Sequence, residues 1–157
     1  MGFKQSKGGR QLVLRHPPTS ALVSLDISRS RGKTELDVKD NKYTVEIKIE
    51  AVGNITEAEG PIDVCDPQIK EELEKLMGEA ISSEVRAAVA KAQELRCDPF
   101  GFGELLRRTS PKEWKKIKKQ WREIIPEVEV KVEAKGIIQR KGMSGEPPFL
   151  DPWITRK

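Results

Sequence analysis

One histidine, two cysteines, a glycine-flanked phenylalanine and a run of lysines are the residues of this chain with the most obvious chemical potential. His16 stands before Pro17-Pro18. A histidine-rich metal site or a Ser-His relay needs a second histidine or an orienting neighbour. The sequence supplies neither, so His16 is expected to be a turn residue. Cys65 precedes Asp66-Pro67, a predicted helix start, where thiols become more reactive. With no histidine nearby in sequence, a small buried residue is the expectation. Gly101-Phe102-Gly103 has the look of a phosphate loop. A dinucleotide fingerprint would follow a strand and carry its third glycine where Leu106 stands, and a Walker loop would end in Gly-Lys-Ser/Thr. The segment suits a tight turn that lets Phe100 and Phe102 reach the core. Glu71, Glu72 and Glu74 lie on the solvated face of a predicted helix and form no acid/base pair.

The lysines form the densest charge. Lys112, Lys115, Lys116, Lys118, Lys119 and Arg122 face one acid, Glu113, between Pro111 and Arg122. Such a patch can hold phosphates or an anionic membrane surface through counterion release. It can equally be the wet side of a helix whose Trp114, Ile117, Trp121 and Ile124 share a buried stripe. The apolar spacing accounts for both tryptophans and favours the second reading. Lys115, Lys118 and Lys119 are candidates for a partner surface, together with Phe149 and Trp153 of the tail. No catalytic residue, metal ligand set or cofactor site is assigned.

These groups must be positioned by strands, a long helix and shorter helices. Leu12–Leu14 is a short apolar run. Val23, Leu25 and Ile27 alternate with polar neighbours, as do Leu36 and Val38, the pattern of half-buried strands. After a turn at Asp40-Asn41, Tyr43, Val45, Ile47, Ile49 and Ala51 alternate with polar residues and should give one dry and one wet face. A polar connection follows. Asp66 and Pro67 are N-cap and first residue of a long helix. Its apolar stripe includes Ile69, Leu73, Leu76, Met77, Ile81, Val85, Val89 and Leu95, and Gly78 with Ser82-Ser83 marks a kink. Ser110-Pro111-Lys112-Glu113 reads as a capping box. Pro126 stops that helix, and Val128, Val130, Val132 and Ala134 alternate in a last strand, of either pairing direction. The fold class is α+β: an antiparallel-rich sheet with a long helix and shorter helices packed on one face.

The 157 residues suit a single domain, 1–157, with an extended tail at 142–157 rich in Gly, Pro and Ser. The net charge of +4 comes from 29 Lys+Arg against 25 Asp+Glu, a weaker basic excess than a dedicated nucleic-acid binder carries. No apolar run is long enough to span a bilayer, and the N-terminal residues do not read as a signal peptide. Cys65 and Cys97 flank a helix roughly 45 Å long at ~1.5 Å per residue. A disulfide needs Cα atoms within about 7 Å, so no bridge between them is expected.

Several of these segments, in this order, resemble the C-terminal domain of the spore germination receptor C-subunit family, Ger(x)C. The likeness covers Lys33–Gly142. It includes the strand Lys42–Ala51, the Asp66-Pro67 helix start, Ala90-Lys91-Ala92-Gln93-Glu94-Leu95, Asp98–Glu104, Ser110-Pro111-Lys112-Glu113-Trp114 and the passage from Trp121 to Pro126. It weakens before Gly32. The resemblance implies a non-catalytic part of a nutrient germinant receptor, acting in receptor assembly and germination signalling. Its partners would be the other receptor subunits of the spore inner membrane, not nucleic acid. It also implies a lipoprotein on the outer face of that membrane. Neither Cys65 nor Cys97 has a lipobox before it, so the lipid anchor and N-terminal domains of a full-length member are expected upstream, and this fragment is expected to be soluble. The alternative is a basic-helix module that binds nucleic acid or an anionic membrane surface.

Overall fold

The computed structural model describes residues 4–139, with side-chain environments from residue 10 onward. The tail at 142–157, with Phe149 and Trp153, lies outside the described residues. The order is β1 (Lys4–His16), β2 (Ala21–Lys39), β3 (Lys42–Glu59), α1 (Pro67–Glu94), α2 (Phe102–Thr109), α3 (Pro111–Ile117), α4 (Trp121–Ile124) and β4 (Glu129–Gln139). Short 3-10 turns, Lys118–Gln120 and Ile125–Glu127, follow α3 and α4. The strands form one sheet in the order β1-β2-β3-β4. With its long helix and shorter helices the chain is α+β, and the sheet is mostly antiparallel.

β1 pairs antiparallel with β2, Leu12 opposite Leu25 and Leu14 opposite Val23. Asp40 and Asn41 have φ of 50° and 62°, the left-handed pair that closes a two-residue hairpin between β2 and β3. The first residues of β3 and β4 cluster together and so do their last residues, so the two strands run parallel across the helical crossover.

The chain divides into two compact units. One holds Lys33–Lys48 and Ile81–Glu133; the other holds the residues up to Gly32, Ile49–Ala80 and those from Ala134 onward. β2 passes from one unit to the other at Gly32–Lys33, where the apolar phase of the sequence also changes, from Val23, Leu25 and Ile27 to Leu36 and Val38. That change gives the pattern of two strands, yet one 19-residue strand runs through it.

In the unit containing β1, Leu12, Leu14, Val23, Leu25, Ile27, Val52, Leu73 and Met77 are buried. Asp66 caps α1, its Oδ1 accepting from the Gln68 amide at 2.9 Å. The helix assignment runs without a break through Gly78. Its glycine answers a different demand: a Cβ there would lie 2.6 Å from the Ala134 carbonyl oxygen. Gly136 has the same role, since its Cβ would come within 2.8 Å of the Glu74 carbonyl and the Met77 side chain. The Glu74 carboxylate accepts from the Ile138 amide at 2.8 Å and ties α1 to β4 in this unit.

β3 extends to Glu59, beyond the Ala51 that alternation suggested, so much of the expected polar connection is strand. Glu50, placed by alternation on the wet face, is 2% exposed. Its Oε2 accepts from Arg31 Nε at 2.9 Å and pairs with Nη2, and Arg31 is 4% exposed. The two opposite charges pair in a dry setting. Ile49, expected on the dry face, is only half-buried.

Candidate functional site

His16 ends β1 and opens the turn, its carbonyl accepting from the Ser20 amide at 2.7 Å, and it is 1% exposed. Its Nε2 lies 2.6 Å from Glu72 Oε2 and its Nδ1 lies 2.8 Å from Thr19 Oγ1. With Nε2–H donating to the carboxylate, Nδ1 accepts from the threonine hydroxyl. Both ring nitrogens are occupied, which leaves neither for a metal or a substrate. The histidine clamps the 17–20 turn to α1. Glu72, expected on a solvated helix face, is its partner. Cys65 is exposed rather than buried, and Cys97 is exposed as well.

The other unit gathers Tyr43, Phe100, Phe102, Trp114 and Trp121. Asp98 organises them: Oδ1 accepts from the Phe102 amide at 2.8 Å, and Oδ2 from the Gly103 amide at 2.8 Å and Trp121 Nε1 at 3.1 Å. This carboxylate caps α2 and orients an indole, with Gly101 at φ 74° making the turn between them. Gly103 leaves space for the tryptophans, because a Cβ there would sit 2.8 Å from Trp121 Nε1 and 3.1 Å from Trp114 Cη2. The phosphate-loop look of Gly101-Phe102-Gly103 is thus a helix start whose amides are taken by Asp98. Phe102 is 3% exposed; Phe100, expected in the core, is 39% exposed and stacks on Phe102 from outside.

Trp121 is buried and stands edge-on to Trp114 and to Tyr43, with centroids 5.7 Å and 6.1 Å away. Trp114, Ile117 and Ile124 are half-buried. The expected continuous helix is instead α3, a 3-10 turn and α4, so its stripe is less evenly covered than a regular helix would make it. Pro111 takes the first position of α3, but the Ser110 side chain makes no cap bond. Glu113, the other half of the expected capping box, accepts from the Tyr43 hydroxyl at 3.2 Å instead. Gln93 Nε2 donates to the carbonyls of Ile125 (3.0 Å) and Val128 (2.7 Å), holding the start of β4 to α1. Val130 and Ala134 are half-buried, while Val132 and Ile138 are buried.

Burial, and then the neighbouring Glu113 carboxylate, raise the Tyr43 hydroxyl above its ordinary value of 10.0. It is the chain's single tyrosine, so an ultraviolet titration reads it alone. The midpoint should lie above that of free tyrosine, and Glu113→Gln should lower it without abolishing the shift. A group raised in this way leaves folding unaffected below its unfolded value. Stability should fall as pH rises past that value and through the folded one.

Beside Tyr43 lies a groove of about 560 Å³, lined by Asn41, Lys42, Tyr43, Ile117, Gln120, Ile124, Glu127 and Glu129. Lys112, Lys115, Lys116, Lys118, Lys119 and Arg122 are all exposed. Lys115, Lys118 and Lys119 therefore present their charges to solvent; Phe149 and Trp153 lie outside the described residues. Among the described residues no cluster of His, Cys, Asp and Glu has the arrangement of a metal site. No described helix is long and apolar enough to cross a membrane. Sequence reasoning missed the groove because its lining comes from the β2–β3 turn, α3, α4 and the start of β4.

A family profile described as spore germination B3/GerAC-like, C-terminal, matches residues 3–142. Spore germination protein KC of Bacillus subtilis (strain 168) is 27% identical over 130 residues, covering 82% of this chain and 32% of that protein. Spore germination protein YndF of the same organism is 27% identical over 119 residues, covering 74% and 29% respectively. The chain thus spans about a third of the length of the curated relatives it matches. The crystal structure of the GerBC protein has the same fold, with TM-score 0.72 and 20% identity, over 83% of this chain and 40% of that one. Matched along the whole of its described length, the chain belongs to the spore germination B3/GerAC-like family, in the C-terminal part of it.

Proposed function

We propose that this chain is a non-catalytic domain of the C subunit of a nutrient germinant receptor in bacterial spores, acting in receptor assembly and germination signalling. The family match over residues 3–142 carries the reading, and the similarity to spore germination proteins of Bacillus subtilis supports it. The polar groups within the domain are used for cohesion: His16 for the 17–20 turn, Asp98 for α2 and Trp121, Glu113 for Tyr43. On this reading residues 1–157 act as one C-terminal domain. An upstream lipid anchor holds the whole protein to the outer face of the spore inner membrane, and its partners are the other receptor subunits. Lys115, Lys118 and Lys119, with Phe149 and Trp153 in the 142–157 tail, belong to the docking surface.

The exposed lysines favour a second reading, in which they hold nucleic acid or an anionic membrane surface. Salt separates the two. Phosphate binding by these lysines should weaken steeply between low and physiological salt, and Lys115→Glu/Lys118→Glu/Lys119→Glu should abolish it. The docking reading expects no appreciable binding of the purified chain to duplex DNA or to phosphatidylglycerol vesicles at physiological salt. Tight binding to either would displace it in favour of the second.

A further inference from the structure

The net basic excess of this chain sits at one place in the fold. Residues 1–32 carry six cations, Lys4, Lys7, Arg10, Arg15, Arg29 and Arg31, against one acid, Asp26, so the rest of the chain is close to neutral. Residues 4–32 are β1, its turn and the part of β2 paired with it. Arg31 is taken by Glu50, Asp26 stands on β2 opposite Gln11, and Glu72 of α1 is bonded to His16. Glu57 and Glu59 lie on β3, two strands in from β1 and so roughly 10 Å away at ~4.8 Å per strand. That exceeds the ~8 Å screening length of physiological salt.

The same strand is where the sheet is open. Its outer strands are β1 and β4. For β4, α1 serves as the neighbour: Gln93 donates to the Val128 carbonyl just before the strand, Arg86 Nη2 donates to the Val132 carbonyl at 3.3 Å, and Glu74 accepts from the Ile138 amide. No described strand lies beyond β1. The His16 carbonyl points into the turn toward β2, where it accepts from the Ser20 amide, and the register is regular from Arg10 to His16. Gln11, Val13 and Arg15 alternate with His16, so their amides and carbonyls face away from β2. All three residues are exposed, Val13 at 59%.

An open row of main-chain groups is complementary to another backbone, and Arg10 and Arg15, near the two ends of the regular stretch, are complementary to carboxylates. We infer that the β1 edge accepts an extended acidic segment of a partner protein as an added strand, its main chain pairing at Gln11, Val13 and Arg15 and its carboxylates meeting Arg10 and Arg15. A second copy of β1 would set one strand of four cations and no acid against another, so charge opposes self-pairing. A phosphate chain would meet the cations but could not continue the ladder. The irregularity between Lys7 and Arg10 confines the pairing to Arg10–His16. This inference rests on the docking reading above and gives it a further surface.

The probe is the end-blocked heptapeptide Glu-Glu-Val-Thr-Val-Glu-Glu, added to the full 157-residue chain. Its sequence reads the same in both directions, so either pairing direction is open to it. It should slow hydrogen exchange at the Gln11, Val13 and Arg15 amides, and the version with Lys for Glu should bind about tenfold or more weakly. Arg10→Glu/Arg15→Glu should reverse that preference. Val13→Pro removes an outward donor at a strand edge, where proline is tolerated, and should abolish binding of the acidic peptide. If that proline unfolds the chain, exchange on the unaltered protein decides alone. No binding, equal binding of the two peptides, or binding that leaves the three amides exchanging freely would overturn the inference. So would duplex DNA that binds this hairpin more tightly than the peptide does. The docking reading would survive a failed peptide test, because it is tested separately by removing the domain from the spore protein.

Discussion

Trp121→Ala is expected to destabilise the chain by about 3–5 kcal/mol, as truncations of large buried aromatic side chains do. The indole is 7% exposed, meets Trp114 and Tyr43 edge-on, and donates Nε1–H to Asp98. Removing it empties the space that Gly103 keeps open and takes away one of the three bonds to the Asp98 carboxylate. Since a domain's net stability is itself only about 5–15 kcal/mol, the variant should lose much of its resistance to urea. Trp114→Ala should cost less, because that ring is half-buried. Urea midpoints measure both, and equal losses for the two would contradict the packing described. Trp121 emission should also resist acrylamide quenching in the Trp114→Phe/Trp153→Phe background, where it is the single tryptophan.

The second large effect is expected at Glu50. Its carboxylate and the Arg31 guanidinium are each 3% exposed as side chains. Breaking a buried pair from one side strands the other charge and costs about 3–5 kcal/mol, whereas replacing both members with apolar residues of similar volume is often neutral. Glu50→Ala should therefore be severe, and Arg31→Met with Glu50→Leu far milder than the sum of the single substitutions. Urea unfolding across the four-member cycle reads the coupling. Additive single effects would mean that the two charges do not depend on each other.

Much of the fold was legible because local chemistry and tertiary demand agree. Asp66-Pro67 starts α1, Asp40-Asn41 closes a hairpin, and the 114, 117, 121, 124 spacing puts Trp121 in the core with the lysines outside. The resemblance to the germination family was legible in ordered motifs and is matched by the family profile over residues 3–142. Failures came where long-range contacts decide. Gly78 looks like a helix weakness along the chain, but its reason is the Ala134 carbonyl. Ser110 and Glu113 have capping-box spacing, yet Tyr43, far away in sequence, claims the glutamate. His16 does open its turn, but its burial and its bond to Glu72 were not legible because the partner is 56 positions away. Glu50 obeys the alternation of a wet face but is buried by its pairing with Arg31. The groove was invisible for the same reason, since nothing in sequence brings Lys42 next to Ile124 and Glu129.

The central claim is that the domain serves a germinant receptor by docking. It is tested most directly in spores whose receptor C subunit is replaced by the full-length protein containing this domain, compared with the same protein lacking it. The measurement is the amount of the partner receptor subunits retained in the inner-membrane fraction, followed with nutrient-triggered germination. The account predicts that deletion of the domain depletes the assembled receptor and abolishes the nutrient response. Germination by a receptor-independent chemical trigger should be intact. Normal receptor levels and a normal nutrient response without the domain would contradict it.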